Sequence, residues 1–166
     1  IIEKANIKLI VICEECLVDG TIDKNLLYEI AKYECIYVTE KIFTQISDVK
    51  APQGILAIIE KGCKQGQIDY SEDIIIALDG IQDPGNLGTI LRTVDSANLK
   101  QIIVSADTAD CYNPKVVRST MGAIFRVNII ETAELETTLK EIKKHKFDVI
   151  VTSLDLSLIH ISEPTR

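Results

Sequence analysis

The sequence has no apolar run approaching the roughly 20 residues that cross a bilayer. Its first residues, IIEKANIKLIVICEE, lack the basic start and small-residue cleavage site of a secretory signal. No membrane partner is expected, and the expected location is the cytoplasm. Neither GxGxxG nor a P-loop lysine motif is present, which removes the usual sequence signs of a dinucleotide or nucleoside triphosphate site. Five cysteines, at 13, 16, 35, 63 and 111, are odd in number and scattered through apolar segments, so they do not make a disulfide framework. Cys13 and Cys16 have the spacing of a metal or redox pair, yet no second pair or histidine cluster completes a tetrahedral site. No metal is expected, and the two read as small hydrophobes at a strand end. Positive charge is also scarce, with 18 Lys and Arg against 25 Asp and Glu, a net charge of −7. An acidic chain with a pI near 4.9 argues against a nucleic-acid partner unless its bases are gathered locally. The chain opens on Ile1 rather than Met, and its natural beginning is expected to lie upstream.

With 166 residues and 46% hydrophobic content, the chain can bury one ordinary core or two small ones. Residues 1–61 alternate strand-like runs (IKLIVIC, CIYVT, GILAII) with a helical stretch, DKNLLYEIAKYE. Residues 62–72, carrying two glycines and no apolar periodicity, read as a linker. From 73 the order is IIIAL, a helix, QIIVS, a helix opening at Asn113-Pro114, FRVNII, a helix over TAELETTLKEIKKH, and a last strand FDVIVTSL ending at Leu154. That alternation predicts an α/β fold with a parallel sheet covered on both faces. Residues 155–166 continue no periodicity and read as an anomalous tail.

The most informative stretch is Asp79–Asn98, DGIQDPGNLGTILRTVDSAN, where a strand passes through a polar turn into a helix. Pro84 stiffens the turn, Asn86 is placed to cap the helix, and Gly85 and Gly88 allow close approach of a ligand or another chain. Helical spacing puts Arg92 off the apolar Ile90/Val94/Ala97 stripe, on a face with Gly88, Asp95 and Ser96. A generic phosphate-binding turn is one reading of this arrangement.

Together with YNPKVVRSTMGAIFRV downstream, DPGNLGTILRTVDSAN resembles the first half of the catalytic domain of SpoU-type RNA 2′-O-ribose methyltransferases of the SPOUT superfamily. The family's Asn-Xaa-Gly-Xaa-Xaa-Xaa-Arg pattern falls on Asn86, Gly88 and Arg92. The resemblance implies an N-terminal α/β RNA-binding domain over residues 1–61, with KAPQGILAII similar to the passage out of it, then an α/β-knot methyltransferase domain over 73–154. It implies S-adenosylmethionine as cofactor, ribosomal or transfer RNA as substrate, and a homodimer with sites at the subunit interface. Arg92 and Asn86 are the implied catalytic residues, and Gly88, Lys115 and Arg118 the implied RNA-binding ones.

A protonated ribose hydroxyl is a poor nucleophile. Arginine remains protonated, so stabilising the developing alkoxide or holding the adjacent phosphate suits Arg92 better than deprotonation does. A surface ion pair with Asp95 is the bland alternative for Arg92, and a capping role is the one for Asn86; solvated helix charges are the alternative for Lys115 and Arg118. The two later family motifs that build the cofactor-binding knot have no counterpart in DLSLIHISEPTR, so no cofactor-binding residues are assigned. The chain is expected to be incomplete and inactive alone. The competing readings are a noncatalytic RNA-binding fragment and a nucleotide-binding α/β enzyme.

Overall fold

The β-branched run Ile7–Cys13 forms β1, the middle strand of the first of two sheets in a computed structural model that describes residues 5–61 and 67–152. A short helix α1 (Glu14–Val18) follows directly, then α2 (Lys24–Ile30), β2 (Cys35–Val38), α3 (Glu40–Ile46) and β3 (Ile55–Ile59). The start of α2 is fixed by Asp23, whose carboxylate accepts the Asn25 N–H at 2.7 Å. In the sheet order β2-β1-β3, β1 runs parallel to β2 and antiparallel to β3. Alternation along β1 sends Ile10 and Ile12 to one face, against Ile22 and Ile30, and Val11 and Cys13 to the other, against Phe43.

The second sheet is β4 (Ile76–Leu78), β5 (Gln101–Ser105) and β6 (Asn128–Thr132), all parallel and in sequential order. Helices α4 (Pro84–Ser96) and α5 (Pro114–Ser119) connect the strands, and α6 (Leu135–Lys144) follows the last. Consecutive right-handed crossovers place α4 and α5 on the same face. Ile102 and Val104 therefore pack with Leu87, Leu91 and Val116, whereas Ile103 points the other way to Ile130 and Ile142. Every residue of β5 is buried, as a strand covered on both faces requires. The expected covered, parallel sheet is what forms.

Three expectations change in detail. Phe125 does not belong to the strand: Ala123–Phe125 curls into a 3-10 turn after the left-handed Gly122, and β6 starts at Asn128. Of the last expected strand, Phe147–Thr152 adopts no regular structure. Among the described residues no strand pairs with it, and Ile150 and Val151 are 76% and 53% exposed, so strand propensity alone does not order it. Ser153, Leu154 and the tail 155–166 lie outside the described residues. Finally, the second half of the expected linker is docked on the second sheet. Buried Gln101 donates through Nε2 to the Asp69 carbonyl at 2.6 Å and accepts the Asp69 N–H at 2.9 Å. Tyr70 stacks on the His145 ring with centroids 3.7 Å apart, and Ile68 joins the cluster around Ile103.

Candidate active site on helix α4

Helix α4 begins one residue after Asp83, and Asp83 rather than Asn86 is its cap. The Asp83 carboxylate accepts the Asn86 N–H at 2.7 Å, and Pro84 occupies the first helical position, where a missing N–H costs nothing. Asn86 sits at the third helical position with an exposed side chain, free of the capping duty expected of it. Asp83-Pro84 carries the same signal as Asn113-Pro114, where Asn113 does cap α5 by accepting the Lys115 N–H at 2.9 Å. Asn86 does not cap α4 because the Asp-Pro pair, three residues earlier, already starts the helix.

The turn before α4 is latched to the loop after β5. The Gly80 N–H donates to Ser105 Oγ at 2.9 Å, the Ala109 N–H donates to the Ile81 carbonyl at 2.9 Å, and Gln82 Nε2 donates to the Asp107 carbonyl. Ser105 Oγ in turn donates to the Asp107 carboxylate and lies 3.1 Å from Thr108 Oγ1. Backbone and side-chain hydrogen bonds thus fix the entry of α4 at the C-terminal ends of β4 and β5, the edge where parallel sheets commonly carry ligands. Residue type alone gave no signal for Gln82, Ser105 and Asp107.

The apolar stripe of α4 is Leu87, Leu91 and Val94, all buried; Ile90 is half-buried and Ala97 exposed. Gly88 is buried as well. A Cβ there would lie 1.8 Å from Ser119 Oγ and 3.1 Å from the Val116 carbonyl, so glycine is needed for the close crossing of α4 and α5. This corrects the expectation that Gly88 faces RNA.

On the outer face of α4 the hydroxyls are already engaged. Thr89, Thr93 and Ser96 each donate to a carbonyl of their own helix at 2.9 Å. Arg92 is exposed and makes no hydrogen bond or ion pair among the described residues. The Asp95 carboxylate that was its bland partner is taken by Arg126 in a bidentate pair, Nη2 to Oδ2 at 2.7 Å and Nε to Oδ1 at 3.0 Å. That bond holds the Arg126 guanidinium above its ordinary pKa. Arg126 therefore ties the turn before β6 to α4, and Arg92 is left as an open guanidinium. Asn86 and Arg92 lie six positions apart on the helix, about 9 Å along the axis and about 120° apart in direction.

The other expected phosphate contacts divide. Lys115 is exposed at the start of α5. Arg118 turns toward the first unit, where Nη1 donates to the Asp48 carbonyl at 3.4 Å. Close by, Lys61 Nζ lies 4.4 Å from the Tyr112 ring centroid, a second contact between the units. A broad open groove there runs between Phe43, Ile46 and Pro52 on one side and Arg118, Met121 and Phe125 on the other. Of the expected site residues only Arg118 lines it. No helix of the described residues is long and apolar enough to cross a membrane.

With this geometry established, the comparisons with known proteins are decisive. The SpoU rRNA methylase family matches residues 73–164, which includes all of α4, α5 and α6 and runs past Leu154 into the stretch read as an anomalous tail. The chain belongs to the SpoU rRNA methylase family. It is 30% identical over 121 residues to the 23S rRNA (guanosine(2553)-2′-O)-methyltransferase of Bacillus subtilis, covering 73% of this chain and 47% of that protein. It is 38% identical over 97 residues to human mitochondrial rRNA methyltransferase 3, covering 55% of this chain and 23% of that one. Among solved structures, a TrmH-family protein from Porphyromonas gingivalis superposes with a TM-score of 0.75 at 27% identity, covering 98% of this chain and 62% of its own. An AdoMet-bound rRNA methyltransferase from Sinorhizobium meliloti gives a TM-score of 0.65 at 28% identity, over 84% and 51%. The chain spans less than half the length of these two curated relatives.

Proposed function

We propose that the whole protein to which this SpoU-family chain belongs is an S-adenosylmethionine-dependent RNA 2′-O-ribose methyltransferase acting on ribosomal or transfer RNA. The observation that carries the reading is Arg92: an exposed guanidinium, unpaired among the described residues, on a helix whose entry is latched and whose neighbouring carboxylate is already occupied. A fixed cation of this kind stabilises the charge that develops on the 2′-oxygen, or holds the adjacent phosphate, without having to give up a proton. Lys115 supplies a second exposed charge for the RNA backbone, and Asn86, on a different face, contacts another part of the substrate. Gly88 acts indirectly, by letting α5 approach α4. The relatives support the substrate class: the Bacillus subtilis protein is named as a 23S rRNA guanosine 2′-O-methyltransferase, and a Sinorhizobium meliloti neighbour holds AdoMet. A homodimer and a cytoplasmic location are part of the same proposal.

The described residues do not fit the cofactor by themselves. The hollow at the ends of β5 and β6 mixes Ser105, Thr108, Asp110, Glu131 and Thr132 with Lys61, Val104, Cys111 and three alanines, and no aromatic ring among the described residues walls it for adenine. No step is therefore assigned to residues 5–61 and 67–152 acting on the cofactor. The nucleotide-binding reading is weakened by the same details. Asp83 holds an anionic group at the helix start where a phosphate would sit, and Gly88 is buried. The noncatalytic RNA-binding reading keeps one specific support, the unpaired and exposed Ile150–Val151 segment, which leaves the second sheet without a further strand among the described residues.

The test is transfer of labelled methyl from S-adenosylmethionine to ribosomal RNA by the full-length protein, with the modified nucleotide mapped by its resistance to alkaline cleavage. Ribose methylation supports the proposal. RNA binding without transfer favours the noncatalytic reading, and base methylation refutes the assignment of Arg92 to a 2′-oxygen.

A further inference from the structure

One pair of side chains in the first unit lies outside the candidate site on α4. Cys13 is the last residue of β1 and Cys16 stands three residues on, inside α1, so one helical turn brings the two to about 5 Å between Cα atoms. That lies within the span a disulfide needs. Cys16 packs against the cluster of Val11, Cys13 and Phe43, and Cys13 Sγ donates to Glu15 Oε2 at 3.5 Å. Cys13 is 1% exposed and Cys16 is half-buried, so reagent reaches one sulfur and not the other. Both press on the same backbone. The Cys13 N–H donates to the Gly54 carbonyl at 2.9 Å, and a Cβ on Gly54, whose φ is +82°, would lie 2.5 Å from Cys16 Cβ and 3.0 Å from its Sγ. Gly54 immediately precedes β3, the strand that leads toward the second unit.

We propose that Cys13 and Cys16 are a two-electron thiol–disulfide site, oxidised by low-molecular-weight disulfides such as oxidised glutathione. The Cys16 thiolate attacks one sulfur of the reagent, breaking its S–S bond and releasing one glutathione thiol. Cys13 then attacks Cys16 Sγ, forming the protein disulfide and releasing the second glutathione. The protein loses two hydrogens and the reagent gains them. Donation of the Cys16 S–H toward Cys13, burial, and the negative charges of Glu40 and Asp19 raise the Cys16 pKa, so the first step is slow at neutral pH.

Peptide mapping of the full chain after incubation with oxidised glutathione, with free thiols blocked by alkylation, tests this. The linked Cys13–Cys16 peptide is expected to exceed the Cys16–glutathione adduct by about tenfold or more, because the second attack is intramolecular. In Cys13→Ser the adduct at Cys16 should persist, and in Cys16→Ser the buried Cys13 should remain a free thiol. A stable Cys16–glutathione adduct in the unmutated protein, or two untouched thiols after prolonged incubation at alkaline pH, where the Cys16 thiolate forms, would overturn the assignment; the unmutated protein alone decides it if either variant fails to fold.

Discussion

The two sheets of this protein are built from similar apolar strands but are covered differently. In the second, β5 is buried along its whole length, sandwiched between α4 and α5 on one face and α6 on the other. In the first, only β1 is deeply buried, and the flanking strands leave Ile36, Tyr37 and Ile58 between 42% and 55% exposed. The side chain proposed to act on the ribose stands on the unit with the better-covered central strand: Arg92 projects from a helix whose opposite stripe is buried and whose entry is latched. The more open first unit keeps apolar and tyrosine surface available. Such surface suits contact with another molecule better than precise positioning of a reacting group.

Truncation of the packed core should separate the two units most strongly. Leu91→Ala, at a position with no exposure, is expected to cost about 2–5 kcal/mol of stability, whereas Ile36→Ala should cost under about 1 kcal/mol. Urea unfolding followed by circular dichroism measures both, and equal costs would break the comparison. Gly88→Ala comes next, at about 1–3 kcal/mol, because the added carbon meets Ser119. Adding Ser119→Gly should recover part of that loss, and a strictly additive double mutant would show that the two helices do not meet as described. Asp83→Ala should cost about 1 kcal/mol through the lost cap, while Asn86→Ala leaves stability nearly unchanged. The reverse ranking would restore Asn86 as the cap. The smallest effect concerns reactivity: burial pushes the Cys111 thiol up to about 11, so at pH 7 it should alkylate more slowly than half-buried Cys16 in a timed iodoacetamide reaction.

Much of this was legible in the sequence where a local signal coincides with the structural cause. The β-branched runs IKLIVIC and QIIVS announce strands, and Asn113-Pro114 announces a helix start, since strand propensity and capping both act over a few residues. Arg92 was placed outside the core by helical spacing alone, and it is exposed. Features that depend on a distant partner were not legible. Gly88 is glycine because of Ser119, 31 residues away, and Asp95 is unavailable to Arg92 because Arg126 folds back onto it. The short helices α1 and α3 escaped notice because five to seven residues carry little periodicity. FDVIVTSL has strand composition, but a strand needs a ladder partner, and residues 147–152 find none among the described residues.

The central claim is that an open guanidinium on the rigid unit acts on the reacting ribose, and Arg92→Ala in the full-length protein tests it most directly. Single-turnover methyl transfer at saturating RNA should fall by about a hundredfold or more, with cofactor affinity unchanged. Arg92→Lys should recover little of the loss, because a point charge does not reproduce the planar fork. A near-normal rate in Arg92→Ala would contradict the account and reduce the turn and helix to a structural element.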